Sequence, residues 1–241
     1  MLRISQIKRN AEKGEQGLKH AAAKELRIRE EEIQNLRICK RSLDARKKPE
    51  LSLVYSVEVS ASGEEKIIKR ANDPNVTIVK QTGYYLPGAV SPTPSIPPVI
   101  VGAGPAGLFC AYALTMSGCA PVVLERGRSV TERTKDVERF WESGVLDTVS
   151  NVQFGEGGAG TFSDGKLTTG IKDFRIKKVL EEFVAAGAQP EILYKAKPHI
   201  GTDVLREVVV NIRNKIISLG GEIRFESRVT DFITDPQGRL C

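Results

Sequence analysis

Apolar and polar positions change period several times along the chain, and each change marks an element. Leu2 and Ile4 alternate with polar neighbours as in a strand, and Leu18, Ala21, Ala22 and Leu26 then share one face of a helix. Two strand-like runs follow at 34–41 and 51–60, the second alternating as Leu51, Leu53, Tyr55, Val57 and Val59. The charged stretch DARKKPE between them reads as a hairpin tip. A helical patch at 64–70 and a strand at 76–80 complete a small α+β unit, something like a βαββ layer. Five of the twelve prolines then fall within residues 87–98, which predicts an extended, semi-rigid linker between residues 1–86 and 99–241.

Beyond the linker the pattern becomes α/β. Val99–Val101 is a predicted strand, 105–117 a helix, 121–125 a strand and 131–142 a helix. A glycine-rich loop over 155–170 is followed by a helix at 173–186 and a strand near 192–194. Residues 202–219 form a further predicted helix. Thr202 or Asp203 caps it, its apolar stripe is Leu205, Val208, Val209, Ile212 and Ile216, and Gly220-Gly221 ends it. Strands at 222–226 and 229–234 follow, the latter running into the turn Asp235-Pro236-Gln237-Gly238. Only three residues then remain, so the expectation is a chain lacking the rest of its second domain.

The 241 residues are 40% apolar and 27% charged, enough to bury a core and too apolar for disorder. The net charge of +6 lies entirely in residues 1–50, with 14 basic against 8 acidic side chains; the other 191 residues carry 22 of each sign. Attraction for nucleic acid therefore belongs to that segment, read either as a solvated surface or as a dock for RNA or an acidic partner. Two histidines and four scattered cysteines, with no CxxC, argue against a metal site or a disulfide framework. The basic start MLRISQIKRN lacks an apolar h-region, so the expected location is cytoplasmic. Residues 81–124 carry no charge, but Pro97, Pro98, Gly102, Gly104, Pro105 and Gly107 interrupt them, as in a buried strand–turn–helix and not a membrane span.

The chemistry sits in that uncharged run. Gly102-Ala103-Gly104-Pro105-Ala106-Gly107 is G-x-G-x-x-G between an apolar strand and an apolar helix, and Glu125 ends the next strand eighteen residues later, before Arg126-Gly127. Gly102 permits the tight turn, Gly104 lets a pyrophosphate approach the backbone, and Gly107 with Ala111 lets the helix pack on the strand. The pyrophosphate would meet the helix N-terminus, where Pro105 suits the first position. Glu125 would accept ribose hydroxyls and repel a 2′-phosphate, which disfavours NADP there. This gives an ADP-containing dinucleotide without choosing FAD or NAD. A second stretch, residues 151–167, contains five glycines that permit close backbone approach to a flat or anionic group, with Lys166 placing a cation nearby.

The GAGPAG…ERG fingerprint, the loop GEGGAGTFSDGKL and the later PHIGTDVLREVVVNIR together resemble bacterial FAD-dependent dehydrogenases, often labelled NAD(FAD)-utilizing dehydrogenases, and the RSLDARKKP hairpin resembles their N-terminal extension. The resemblance covers nearly the whole chain. It implies a Rossmann-type FAD/NAD(P)-binding domain, incomplete at its C-terminus, behind a small α+β domain. FAD would lie with its adenosine at Gly102–Gly107 and Glu125, its flavin end near Gly157, Gly158, Ala159 and Gly160, and its adenine against the backbone of Val229. NAD(P)H is the candidate electron donor. Lys166 could stabilise an anionic reduced ring. His199 is a candidate acid/base or a loop histidine bonded to backbone, and Arg133 and Arg139 either touch phosphate or lie on a solvated helix face. Cys110 and Cys119 are expected to pack. No catalytic residue is assigned, and the chain alone is expected to be inactive. The competing readings are an RNA-modifying flavoprotein and an inert dinucleotide-binding fragment.

Overall fold

The computed structural model describes every residue except 47, 48, 81, 82, 87, 90, 92, 164 and 239–241. Parts of the hairpin tip, the linker and the glycine-rich loop, and the residues after Gly238, thus lie outside the described residues. Chain order gives β1 (Leu2–Asn10), α1 (Leu18–Leu26), β2 (Asn35–Asp44), β3 (Ser52–Ser60), α2 (Glu64–Ala71), β4 (Val76–Ile78), β5 (Val99–Val101) and α3 (Pro105–Met116). There follow β6 (Val122–Leu124), α4 (Val130–Ser143), α5 (Arg175–Ala185), α6 (Thr202–Ser218) and β7 (Glu222–Arg224). Packing divides the chain into two compact units: 1–84 with 167–181 and 189–199, and 85–166 with 182–188 and 200–241.

The first unit is an antiparallel sheet of order β2-β3-β1-β4. The strand period of two puts Leu2, Ile4, Tyr55, Val57 and Val59 on one face, where they bury with Leu18, Ala22 and Leu26 of α1 and Ile67 of α2. The opposite face is polar. Glu58, paired in register with Arg3 and Arg37, accepts a hydrogen bond from Arg3 at 2.7 Å and another from Arg37. β2 runs to Asp44, three residues past its expected end, because its ladder with β3 continues to Asp44↔Ser52. The strand expected near 192–194 is instead a 3-10 turn, Pro190–Leu193. Pro190 starts it, and Ile192 and Tyr194 donate back to the carbonyls of Gln189 and Glu191. Past the turn, Arg41 N–H donates to Tyr194 O and Ala196 N–H to Arg41 O, a single parallel bridge on the edge of β2.

The second unit is a mixed α/β fold around a parallel sheet of order β5-β6-β7. Val123 at its centre is fully buried, and Leu108 and Ala111 of α3 and Ile212 and Ile216 of α6 are also buried. Ser129 caps α4 by accepting from Glu132 N–H, and Gly144 ends it in the left-handed conformation. The strand expected at 229–234 does not form: those residues are irregular, with one isolated bridge at Thr234. No helix among the described residues is long and apolar enough to cross a membrane.

Candidate dinucleotide site

β5 runs into Gly102, whose φ of +97° is a left-handed conformation that side chains rarely tolerate. Its N–H donates to Leu124 O at 2.8 Å, tying the turn to the end of β6. Gly104 is the N-cap of α3 and Pro105 its first residue. A Cβ on Gly107 would lie 1.9 Å from the Gly102 carbonyl oxygen and 3.4 Å from Ile100 Cγ2, so only glycine lets α3 start flush against β5. Gly104 differs: a Cβ there would meet no atom within 4 Å. The space before the α3 N-terminus is left open by the chain, and the first-turn N–H groups lack intrahelical acceptors.

Glu125 stands at the end of β6, only 4% exposed, with its carboxylate on the same turn. Oε2 accepts from Ala103 N–H and Oε1 from Gly127 N–H, each at 2.7 Å. Two backbone donors thus orient the buried charge, and each oxygen keeps a second lone pair. Arg126 is exposed, its guanidinium 4.0 Å from the centre of the Phe154 ring.

The second glycine-rich stretch folds against the first. Gly157 N–H donates to Ala103 O at 2.9 Å, and a Cβ on Gly158 would lie 3.1 Å from Pro105 Cδ. Ala159 and Gly160 are exposed at the start of a 3-10 turn, Ala159–Phe162, and Lys166 is exposed beyond it. Val229 is half-buried two residues past Ser227, whose N–H donates to Glu125 O at 2.8 Å. Sequence reasoning thus named two motifs that the structure brings together, while Ala106 lies exposed in the first turn of α3.

Arg133 requires a correction. It neither touches phosphate nor lies on a solvated face: it is fully buried and donates to the carbonyls of Asn151, Val152, Glu156 and Gly158 at 2.8–2.9 Å. Burial lowers its pKa to about 10, against the pull of Glu125 and Glu156, so it stays charged at neutral pH. Its guanidinium holds the glycine-rich loop together. Glu156, also fully buried, accepts from Val130 N–H and from Arg213, both at 2.7 Å, and burial raises its pKa despite those partners. Sequence reasoning passed over this network. Its signal was present, since Val130, Arg133 and Val137 follow an i, i+3, i+7 stripe that places the arginine on the inward face of α4.

Other candidates separate from the turn. Arg139 is exposed and pairs with Asp136 at 2.9 Å. Cys110 is exposed, contrary to the packing expected of it, because it lies on the outward side of α3, whereas Cys119 is buried. His199 is exposed in the first unit and has no hydrogen bond among the described residues, so the backbone-bonded alternative does not hold. A groove of about 500 Å³ between α4 and α6, lined in part by Thr131, Thr134, Arg206 and Asn211, includes none of the motif glycines.

Comparison with known proteins bears on the same segment. Residues 100–156 match the NAD(P)-binding Rossmann-like domain, and residues 1–60 match a domain of unknown function (DUF8436). An uncharacterized protein of Clostridium beijerinckii (strain ATCC 51743 / NCIMB 8052) is 44% identical over 241 residues, covering 99% of this chain and 45% of the relative. The chain spans a little under half the length of that curated relative. Residues 100–156, which hold the glycine turn and Glu125, are thus similar to an NAD(P)-binding Rossmann-like domain.

Proposed function

We propose that this chain is the FAD-binding portion of an oxidoreductase that draws reducing equivalents from NAD(P)H, with residues 99–241 as cofactor domain, 87–98 as linker and 1–86 as a separate α+β domain. The observation that carries the reading is the contrast between two glycines of one turn. Gly107 is closed by the chain's own atoms, whereas Gly104 opens onto space that no atom of the chain fills.

A pyrophosphate fits that space. The N–H groups at the start of α3 would hold it, and the second lone pairs of Glu125 would accept ribose hydroxyls. Gly157, Gly158, Ala159, Gly160 and Lys166 would then line the flavin side, and the backbone of Val229 the adenine side. FAD over NAD is favoured by the second glycine-rich loop, which Arg133 holds together and the Gly157 N–H bond to Ala103 O ties to the first, and by the resemblance of both motifs to FAD-dependent dehydrogenases. FAD, when bound, supplies a hydride acceptor; the chain's residues bind it and orient it.

Titration with FAD, followed by flavin fluorescence and absorbance, tests the assignment. Gly104→Val and Glu125→Ala are each expected to weaken binding at least tenfold with the fold intact. Unchanged affinity in both variants overturns the site, and displacement of FAD by equimolar NAD overturns the choice of cofactor.

A further inference from the structure

The parallel sheet of the second unit is covered on one face and open on the other. Its register sets Ile100, Val123 and Ile223 side by side on one face and Val99, Val101, Val122, Leu124, Glu222 and Arg224 on the opposite one. Helices cover the first: Ile100 lies beside Gly107 of α3, α6 packs on α3, and Val123 is fully buried. On the second face Val99 is 60% exposed and Val101 58%, and Val122 and Leu124 are only half-buried. Charge appears there only at β7, as the Arg224–Glu222 pair at 2.7 Å. An apolar strip along β5 and β6 thus faces solvent, whereas parallel sheets are ordinarily buried on both faces.

β5 is also an open edge, first in the order β5-β6-β7. Pro98 O accepts from Val122 N–H at 2.9 Å and Gly102 N–H donates to Leu124 O at 2.8 Å, so every second residue of β5 turns its backbone groups to β6. Alternate residues of a parallel ladder face opposite sides, which aims the N–H and C=O of Val99 and Val101 outward. No strand lies on that side among the described residues. An unpaired row of this kind is a template for a further strand.

We propose that this edge and this face form one docking surface, for polypeptide that the Clostridium beijerinckii relative has outside the matched region. Its occupant is a parallel strand on the outer side of β5, reached by a crossover laid over Val99, Val101, Val122 and Leu124. Handedness ties the two features to one occupant. With right-handed crossovers, the step from β5 to β6 carries its helix on the α3 face. A return from β7 to the outer side of β5 runs the opposite way and must cross the other face. The relative has the length for this, since the chain covers 45% of it. A second copy fits less well, because two β5 edges related by a twofold axis pair antiparallel over three residues each and leave the apolar face open. The surface does not depend on which dinucleotide the glycine turn holds.

Amide hydrogen exchange, resolved to single residues by fragmentation mass spectrometry, tests the edge in this chain and in the full-length relative. In this chain Val99 and Val101 are expected to exchange at least about a hundredfold faster than Ile100 and Gly102, which β6 holds. In the relative, the amides aligned with Val99 and Val101 should be as slow as those aligned with Ile100 and Gly102. Fast exchange there overturns the proposal. Slow exchange at Val99 and Val101 in this chain also overturns it, and a dimer by light scattering would then assign the edge to a second copy. Thermal unfolding tests the face. Val101→Lys should leave the melting temperature of this chain within about 2 °C, and the equivalent substitution should lower that of the relative by at least about 5 °C. A relative that tolerates the charge overturns the covered face.

Discussion

At Gly107 a single methyl group decides whether α3 can start against β5, because that carbon would sit 1.9 Å from a carbonyl oxygen. Gly107→Ala is therefore expected to cost about 3 kcal/mol or more, measured by denaturant unfolding. Gly104→Ala meets open space, so it should leave stability within about 1 kcal/mol while weakening dinucleotide binding. A reversed order of these two effects would refute the reading of the turn. Arg133 is the other residue on which the site depends. Arg133→Met strips donors from four loop carbonyls and should destabilise by at least about 3 kcal/mol. Hydrogen exchange should report it first at the Gly157 amide, which bonds to Ala103 O.

Elements formed largely where local chemistry dictated. α3 starts at its proline, α4 at its serine cap, and the alternating run of β3 buries the side the pattern selected. Misreadings fell where tertiary contacts decide. The apolar Ile192-Leu193-Tyr194 run looks like a strand, yet Pro190 and the backbone bonds behind it wind a 3-10 turn. On β3 the sheet creates a titrating site that neither strand holds alone. Burial by itself would raise the pKa of Glu58, but hydrogen bonds from Arg37 and Arg3 outweigh it and bring it down to about 2. A carboxyl lowered on folding stabilises the native state above its unfolded pKa of about 4.3 and loses that contribution as pH falls toward 2. The first unit should therefore lose on the order of 2 kcal/mol across this window. Glu58→Gln should remove that acid dependence and be less stable at pH 7, as read by pH-dependent chemical denaturation.

Across the whole molecule, charge is segregated while fold classes alternate. The excess of +6 lies in residues 1–50, and on the outer sheet face two of its guanidinium groups, Arg3 and Arg37, bond to Glu58. In register with β3, that face presents Arg3, Lys8, Arg37, Lys40 and Ser56, none of them aromatic and able to stack a base. Retention of the chain on immobilised tRNA is expected to be weak and to vanish by about 0.2 M salt. Retention beyond that salt would favour the RNA-modifying reading.

The amino-acid order by itself determined the period of each element, the glycine turn with its downstream acid, and the confinement of net charge to one end, because these depend on neighbours within a few residues or on composition. Only the tertiary structure decided that Arg133 and Glu156 are buried, that the second glycine-rich loop lies on the first, and that Glu125 is gripped by the amides of Ala103 and Gly127. It also brought Leu193, from a segment after the linker, to the edge of β2. Burial of a charge depends on what distant segments place around it, and that is settled when the chain closes on itself.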